Sequence, residues 1–147
     1  MAAIRRAEAR WSGPLTTGSG TVSAVSSNVF TDLPVSWAAR TESPEGMTSP
    51  EELVAAAHAA CFSMALSAAL ARAGTPPERL DVSAEVTFDK VDAGWRVASS
   101  AITVRGQVPG ASDDDFRAAA EATRDGCPIS VALAGNVQLS VEASLEG

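Results

Sequence analysis

Alternation of apolar and polar residues predicts most of the strands in this chain. Alanine alternates with polar residues over residues 7–11, and residues 21–25 have the β-branched composition of a second strand. The apolar members of residues 80–89 fall on one face and the polar members on the other, and residues 137–144 repeat that pattern. Each of these two stretches is therefore predicted to be a half-buried strand.

Two further strands are predicted from composition and turn signals. Residues 95–108 follow the turn Asp92-Ala93-Gly94 and form a long apolar-rich stretch that Pro109-Gly110 ends. Together with the strand before the turn, they are expected to form a β-hairpin. Residues 35–41 predict a third strand in the N-terminal part, with Arg40 near its end.

The central helix is predicted to begin at Pro50, after capping hydroxyls at Thr48 and Ser49, and to stop at Gly74. Residues 53–71 contain no charged side chain and approach the length of a membrane span. They are mostly alanine, however, and alanine removes little surface from water, so insertion into lipid would be weakly driven. A helix that is apolar on all sides is more consistent with burial in protein, and we expect a second copy of the chain to cover it.

Two shorter helices are predicted in the C-terminal part. Ser112 precedes three aspartates, a strong helix start, and Gly126 ends that helix. Cys127 then stands before a proline, which suits the first helical position, and Gly135 ends the second helix. Cys127 is therefore placed at or beside a helix cap.

The predicted order βββ-α-ββ-α-α-β lacks the regular alternation of a doubly wound sheet, so the fold class is α+β. At 147 residues the chain is expected to form a single domain, residues 1–147. Within it, a three-stranded part spans about residues 1–47, and the cysteine-bearing helix with the remaining α+β part spans about residues 48–147.

Composition narrows the possible partners and compartment. A net charge of −7 argues against nucleic acid and anionic membrane surfaces, because both require a basic patch. The N-terminus has no apolar segment typical of a secretory signal, so the cytoplasm is the expected location. There, the two cysteines are not expected to form a permanent structural disulfide. With one histidine and no C-x-x-C motif, they also make a poor zinc site.

The two cysteines, Cys61 and Cys127, have two possible interpretations. Both could be small buried hydrophobic residues. Alternatively, helix-terminal amides could stabilise a thiolate at Cys127, while the alanine-rich helix around Cys61 allows other elements to come close. If the fold brings them together, one thiolate can attack an electrophile and the other can resolve the product as a disulfide. Helix-cap reasoning favours Cys127 as the more acidic thiol, but the order of attack stays open.

Three other side chains could support such chemistry. Arg40 could place a cation beside a thiolate, and Glu51 could hold that arginine in a two-point salt bridge. Each has a simpler interpretation, as a surface arginine and as an acid at a helix start. Glu51 lies about 15 Å along the helix axis from Cys61 at 1.5 Å per residue, so contact requires a helix break, an intervening arginine or a dimer interface. His58 could act as a base, but a core histidine with satisfied hydrogen bonds is the favoured interpretation.

Several motifs together resemble the osmotically inducible protein C (OsmC) family. The resemblance is carried by Ser49-Pro50-Glu51-Glu52-Leu53, by Ala56 to Ser67 around His58 and Cys61, by Asp89 to Trp95, and by Gly126-Cys127-Pro128-Ile129-Ser130. Trp11-x-Gly13 and Gly18-x-Gly20-Thr21-Val22-Ser23 extend it over nearly the whole chain. The His58 segment is more similar to the OsmC branch than to the organic hydroperoxide resistance (Ohr) branch.

The resemblance implies an intertwined α+β homodimer, with apolar central helices covered by antiparallel-rich sheets and with active sites at the subunit interface. It also implies a peroxidase that acts on organic hydroperoxides, and possibly on hydrogen peroxide, with no metal, flavin or haem and with an external dithiol as reductant. By position, Cys61 matches the peroxidatic thiol, Cys127 the resolving thiol, Glu51 the family's acid and Arg40 its arginine. The alternative function is a non-catalytic stress protein that binds an apolar ligand in the dimer-interface cavity.

Overall fold

The computed structural model describes residues Met1–Glu146 in the order βββ-α-α-ββ-α-α-β. The predicted α+β class is confirmed, with one helix more than the sequence suggested. The chain forms two compact units, the first from Met1 to Leu53 and the second from Val54 onward. The elements are β1 Ala7–Ser12, β2 Ser19–Ala24, β3 Leu33–Val35, α1 Trp37–Thr41, α2 Pro50–Arg72, β4 Arg79–Val91, β5 Gly94–Gln107, α3 Asp113–Gly126, α4 Pro128–Leu133 and β6 Gln138–Leu145.

The N-terminal unit carries an antiparallel sheet of three strands in the order β1-β2-β3. Trp11 in β1 lies opposite Gly20 in β2, and a Cβ added at that glycine would come within 2.6 Å of the Trp11 ring. The indole Nε1 of Trp11 also donates a hydrogen bond of 2.9 Å to the Gly13 carbonyl. The Gly18-x-Gly20 pair therefore makes room for a tryptophan in a sheet.

The prediction of a strand over residues 35–41 is wrong for most of its length. Strand β3 stops at Val35, and Trp37–Thr41 forms the short helix α1. The reason is local: the Ser36 hydroxyl accepts a hydrogen bond of 3.1 Å from the backbone N–H of Ala39, which makes serine the N-cap. Two alanines and an arginine follow, and these residues favour helix over strand.

The C-terminal unit carries the second sheet, in the order β4-β5-β6. Strands β4 and β5 form the predicted hairpin around Asp92 and Ala93, and the positive φ of 118° at Gly94 explains the glycine after this tight turn. Strand β6 runs parallel to β5, because α3 and α4 form the crossover between them. The sheet is therefore mixed, whereas the first sheet is entirely antiparallel.

The core of the C-terminal unit joins one stripe of α2 to the sheet and to α3. Fully burying a large apolar side chain contributes about 1.5–3 kcal/mol relative to exposing it. Gly106 in β5 lies under the Phe116 ring, where an added Cβ would come within 2.7 Å of the ring. The buried core residues are Phe62, Leu66 and Leu70 from α2, Ile102, Val104 and Val108 from β5 and its end, Phe116 and Ala120 from α3, and Cys127.

Helix α2 presents a second, open side. Among the described residues it is the one helix long and apolar enough to cross a membrane by length and composition, and 22% of its most apolar window is buried in the structure. Met64, for example, is 68% exposed. The described chain thus covers one stripe of this helix and leaves apolar surface on the rest.

Candidate active site

The structure brings Cys61 and Cys127 together. Cys61 lies in the middle of α2 and is half-buried, whereas Cys127 is buried before the first turn of α4. The Cys127 thiol is hydrogen-bonded to Cys61, and both thiols are free. Two sulfurs that are far apart in sequence are therefore direct neighbours inside the C-terminal unit.

The environment of Cys61 favours the neutral thiol. Burial is the main cause that raises the pKa of the Cys61 thiol, and the neighbouring Cys127 raises it further. A backbone hydrogen bond from Ile129 at the start of α4 acts in the opposite direction. Within the C-terminal unit, the balance of these contacts therefore disfavours the thiolate at Cys61.

Cys127 is the N-cap residue of α4, as its position before Pro128 predicted. Its sulfur accepts a hydrogen bond of 3.4 Å from the backbone N–H of Ser130 and donates one of 3.1 Å to the Ser130 hydroxyl. Both bonds are local, three residues apart, and they fix the direction of the thiol. The cap therefore orients Cys127 with respect to its own helix.

The predicted core histidine is found at the centre of a buried polar cluster. His58 on α2 contacts the Ser100 hydroxyl through Nδ1 at 2.7 Å and the Ser130 hydroxyl through Nε2 at 2.8 Å. All three side chains are fully buried. Burial lowers the pKa of His58, so the imidazole is neutral at neutral pH. No buried side-chain nitrogen or oxygen in residues 1–146 lacks a hydrogen-bond partner.

Ser100 and Ser130 were missed by the sequence reasoning. Ser130 carries a signal that could have been used, since it stands three residues after a capping residue, where its N–H meets the cap side chain. Ser100 lies on a buried position of β5, and a polar residue at such a position requires a partner. The partner, His58, lies 42 residues earlier and is brought there by the fold alone.

Arg40 and Glu51 form the predicted two-point ion pair within the N-terminal unit. The Arg40 Nε lies 3.0 and 3.1 Å from the two Glu51 carboxylate oxygens, and its Nη2 lies 2.8 Å from one of them. The Glu51 side chain is buried, whereas that of Arg40 is 31% exposed. The Trp37 ring lies 5.9 Å from the guanidinium carbon. The acid thus fixes the orientation of a partly exposed cation.

Arg40 reaches this position from α1 rather than from a strand. Glu51 lies in the first turn of α2, and α2 runs unbroken from Pro50 to Arg72. A helix break between Glu51 and Cys61, one of three ways in which contact could arise, is therefore absent. Within residues 1–146, no group of three or more histidine, cysteine or acidic side chains is arranged to hold a metal ion.

These features define an α+β protein with a close pair of free cysteines in its core. The family profile described as OsmC-like protein matches residues 43–142. The chain belongs to the OsmC-like protein family.

Relatives and solved structures agree with this assignment. The chain is 39% identical over 142 residues to Peroxiredoxin OsmC of Escherichia coli strain K12, covering 97% of this chain and 98% of that protein. It is 32% identical over 107 residues to Organic hydroperoxide resistance protein OhrA of Bacillus subtilis strain 168, covering 71% and 73%. The crystal structure of the organic hydroperoxide resistance protein OhrB of Bacillus subtilis superposes with a TM-score of 0.72 at 22% identity, covering 96% and 98%. That last likeness concerns the fold.

Proposed function

We propose that this protein is a thiol-dependent peroxidase that reduces organic hydroperoxides to alcohols. The observation that carries the proposal is the hydrogen-bonded pair of free thiols, Cys61 and Cys127. Relatives named Peroxiredoxin OsmC and organic hydroperoxide resistance protein support the same reaction class. Hydrogen peroxide is a further candidate substrate of the same chemistry.

In the proposed cycle, the Cys61 thiolate attacks the terminal oxygen of the hydroperoxide. The O–O bond breaks, the alcohol leaves, and a sulfenic acid remains on Cys61. The Cys127 sulfur then attacks the Cys61 sulfur, so that an S–S bond forms, the S–O bond breaks and one water is released. An external dithiol reduces the disulfide and restores both thiols, and no resident metal, flavin or haem takes part.

Exposure supports this order of attack. Cys61 is half-buried and can meet a substrate, whereas Cys127 is buried and its thiol already bonds to Ser130 and Cys61. The cap position of Cys127 alone would have favoured the opposite order. Access outweighs that preference, because the first nucleophile must reach a molecule that comes from solution.

Arg40 is proposed to be the cation that stabilises the Cys61 thiolate and orients the peroxide. Burial raises the pKa of the Cys61 thiol, and a neighbouring cation acts in the opposite direction by favouring the thiolate. Glu51 keeps the guanidinium fork in one orientation through its two-point contact. Arg40 and Glu51 are therefore proposed as catalytic groups in addition to Cys61 and Cys127.

We further propose a cytoplasmic homodimer with its active sites at the subunit interface. The open apolar side of α2, including Met64 at 68% exposure, supports burial against a second copy. Light scattering should give the mass of a dimer at micromolar concentration, and a stable monomer there would overturn this part of the proposal.

The peroxidase is tested by consumption of cumene hydroperoxide with dithiothreitol as the reductant. Cys61→Ser should reduce consumption to the background of dithiothreitol alone. Cys127→Ser should still form the sulfenic acid, trapped by dimedone, but should form no intramolecular disulfide. Equal consumption by wild type and Cys61→Ser would instead favour a non-catalytic protein that binds an apolar ligand.

A further inference from the structure

A continuous chain of hydrogen bonds connects Cys127 to a buried histidine. The Cys127 thiol donates to the Ser130 hydroxyl at 3.1 Å, and that hydroxyl lies 2.8 Å from the Nε2 of His58. On the other side of the ring, Nδ1 lies 2.7 Å from the Ser100 hydroxyl. Cys61 contacts the sulfur at which the chain ends. The path thus leads from a predicted redox centre to a titratable group.

The bond that Cys127 donates to Ser130 sets a consistent direction for the others. Because the Ser130 oxygen accepts from Cys127, the one proton of its hydroxyl is free to be donated to Nε2 of His58. The neutral imidazole then carries its proton on Nδ1 and donates it to Ser100. When the histidine is protonated, both ring nitrogens donate, and the Ser130 hydroxyl turns to donate to a thiolate. In both arrangements, each polar atom between Cys127 and Ser100 along this path has a hydrogen-bond partner.

We propose that Ser130 and His58 form a proton relay that activates Cys127 when it attacks Cys61. Ser130 touches the reacting sulfur and is a catalytic residue, whereas His58 acts through Ser130 and is a positioning residue. In the attack, the Cys127 proton passes to Ser130 while the Ser130 proton passes to Nε2 of His58. The Cys127 sulfur gives its electron pair to Cys61, and the group bound to Cys61 departs with the bonding electrons.

This relay extends the proposed function and depends on it for the oxidant, which is the hydroperoxide that forms the sulfenic acid on Cys61. With a sulfenic acid on Cys61, the departing group is hydroxide, which takes a proton from solvent at the half-buried Cys61 and leaves as water, while His58 holds the proton from Cys127. When a dithiol reduces the disulfide, the same path returns a proton to Cys127. Cys127 is buried, so solvent cannot accept its proton directly, and His58 supplies an internal acceptor that holds the proton until the disulfide is reduced.

The surroundings of His58 agree with a proton acceptor. The elements that pack against it present Ser100 from β5 and Ser130 from α4, and the six residues of α4 include no charged side chain. The titratable group that faces it is Cys127, through Ser130, while Cys61 shares its helix. Burial lowers the pKa of His58, so the imidazole is neutral and available as an acceptor at neutral pH.

The relay is tested without peroxide, so its failure is distinct from that of the peroxidase. Ellman's disulfide converts Cys61 of the reduced full-length protein to a mixed disulfide, and Cys127 then releases a second thionitrobenzoate. Stopped-flow absorbance separates the two phases. We expect Ser130→Ala to slow the second phase at least about ten-fold and the first phase less than about two-fold, since only the second requires Cys127 to lose its proton.

The pH profile distinguishes a relay from packing. In wild type, the rate of the second phase should increase as the pH is raised, because the His58 imidazole loses its proton. The inflection of this increase should lie below pH 6.5. His58→Gln should remove that inflection. The matched control is Thr123→Val, which removes another buried hydroxyl of the same unit, bonded to Ala119 rather than to the relay, and it should keep both the rate and the profile.

Two results would overturn the relay. One is a second phase in Ser130→Ala that equals that of wild type. The other is an equal slowing in Ser130→Ala and Thr123→Val with the inflection retained in His58→Gln, which would assign the cluster to packing alone. A folded far-ultraviolet circular dichroism spectrum of each variant completes the comparison.

Discussion

The two compact units hold their buried polar groups in different ways. The N-terminal unit holds a charged pair, in which Glu51 is buried and Arg40 keeps 31% of its side chain exposed. The C-terminal unit holds a neutral cluster, in which His58 and its two serine partners are completely buried. The buried carboxylate is therefore paired with a cation that water partly reaches, whereas the completely buried groups of the C-terminal unit are neutral.

The difference follows from the free energy of desolvation. Removing an ion from water costs several kcal/mol, whereas a neutral hydroxyl or imidazole is compensated by its hydrogen bonds. The N-terminal unit accordingly offers a permanent cation with a fixed orientation. The C-terminal unit instead offers groups that can gain or lose a proton. Four predictions compare the two units further.

The largest effect is expected from removing the cation. Arg40→Met should lower kcat/KM for cumene hydroperoxide by about 10²–10³-fold, the range found when a key electrostatic contact is lost from an active site. Arg124→Met is the matched control, because Arg124 pairs with the exposed Asp125 next to it in sequence and should leave activity unchanged. Steady-state kinetics with dithiothreitol measures both, and activity within two-fold of wild type in Arg40→Met would contradict the assigned role.

The second effect tests how tightly the C-terminal core is filled. Gly106→Ala should lower the free energy of unfolding by about 1–3 kcal/mol, because the new methyl group would collide with the buried Phe116 ring. Gly126→Ala is the control, since an added Cβ there meets nothing within 4 Å and the change should be neutral or slightly stabilising. Urea denaturation followed by tryptophan fluorescence gives both values. Equal stability of the two variants would show that the core can relax.

The third effect compares the helix caps of the two units. Ser112→Ala should cost about 1 kcal/mol of stability, since it removes the cap of the 14-residue helix α3, and should leave peroxidase activity intact. Ser36→Ala removes the cap of α1, the helix that carries Arg40. This variant should therefore lose more peroxidase activity than Ser112→Ala but less stability. Urea denaturation and kinetics on both variants measure the contrast. The reverse pattern would separate α1 from the active site.

The smallest effect is the pH dependence of stability. Since burial lowers the pKa of His58, the unfolded chain takes up a proton at a higher pH than the folded chain does. This contribution to stability is present above pH 6.5 and is lost as the pH falls below that value. The stability difference between wild type and His58→Gln should therefore shrink between pH 7.5 and 5.5, as measured by urea denaturation. A constant difference would mean that His58 has the same pKa in the folded and the unfolded chain.

Local signals predicted most elements but not the assembled site. Caps, turns and alternation indicated the hairpin, α3 and the cap role of Cys127, because these depend on neighbouring residues. The strand expected at residues 35–41 was wrong because a single serine cap outweighed a short apolar pattern. The partners of His58 were not predictable, since Ser100 and Ser130 lie 42 and 72 residues away and meet it only in the folded chain.

The crossover that makes β6 parallel to β5 has one more consequence. Cys127 lies within that connection, so a bond between Cys127 and Cys61 would enclose the hairpin and α3 in a covalent ring of 67 residues, from 61 to 127. Closing a ring of this size restricts the unfolded chain and is worth about 4 kcal/mol. The oxidised protein should thus resist heat and proteases better than the reduced one. Its stability would therefore report whether it has recently reacted with an oxidant.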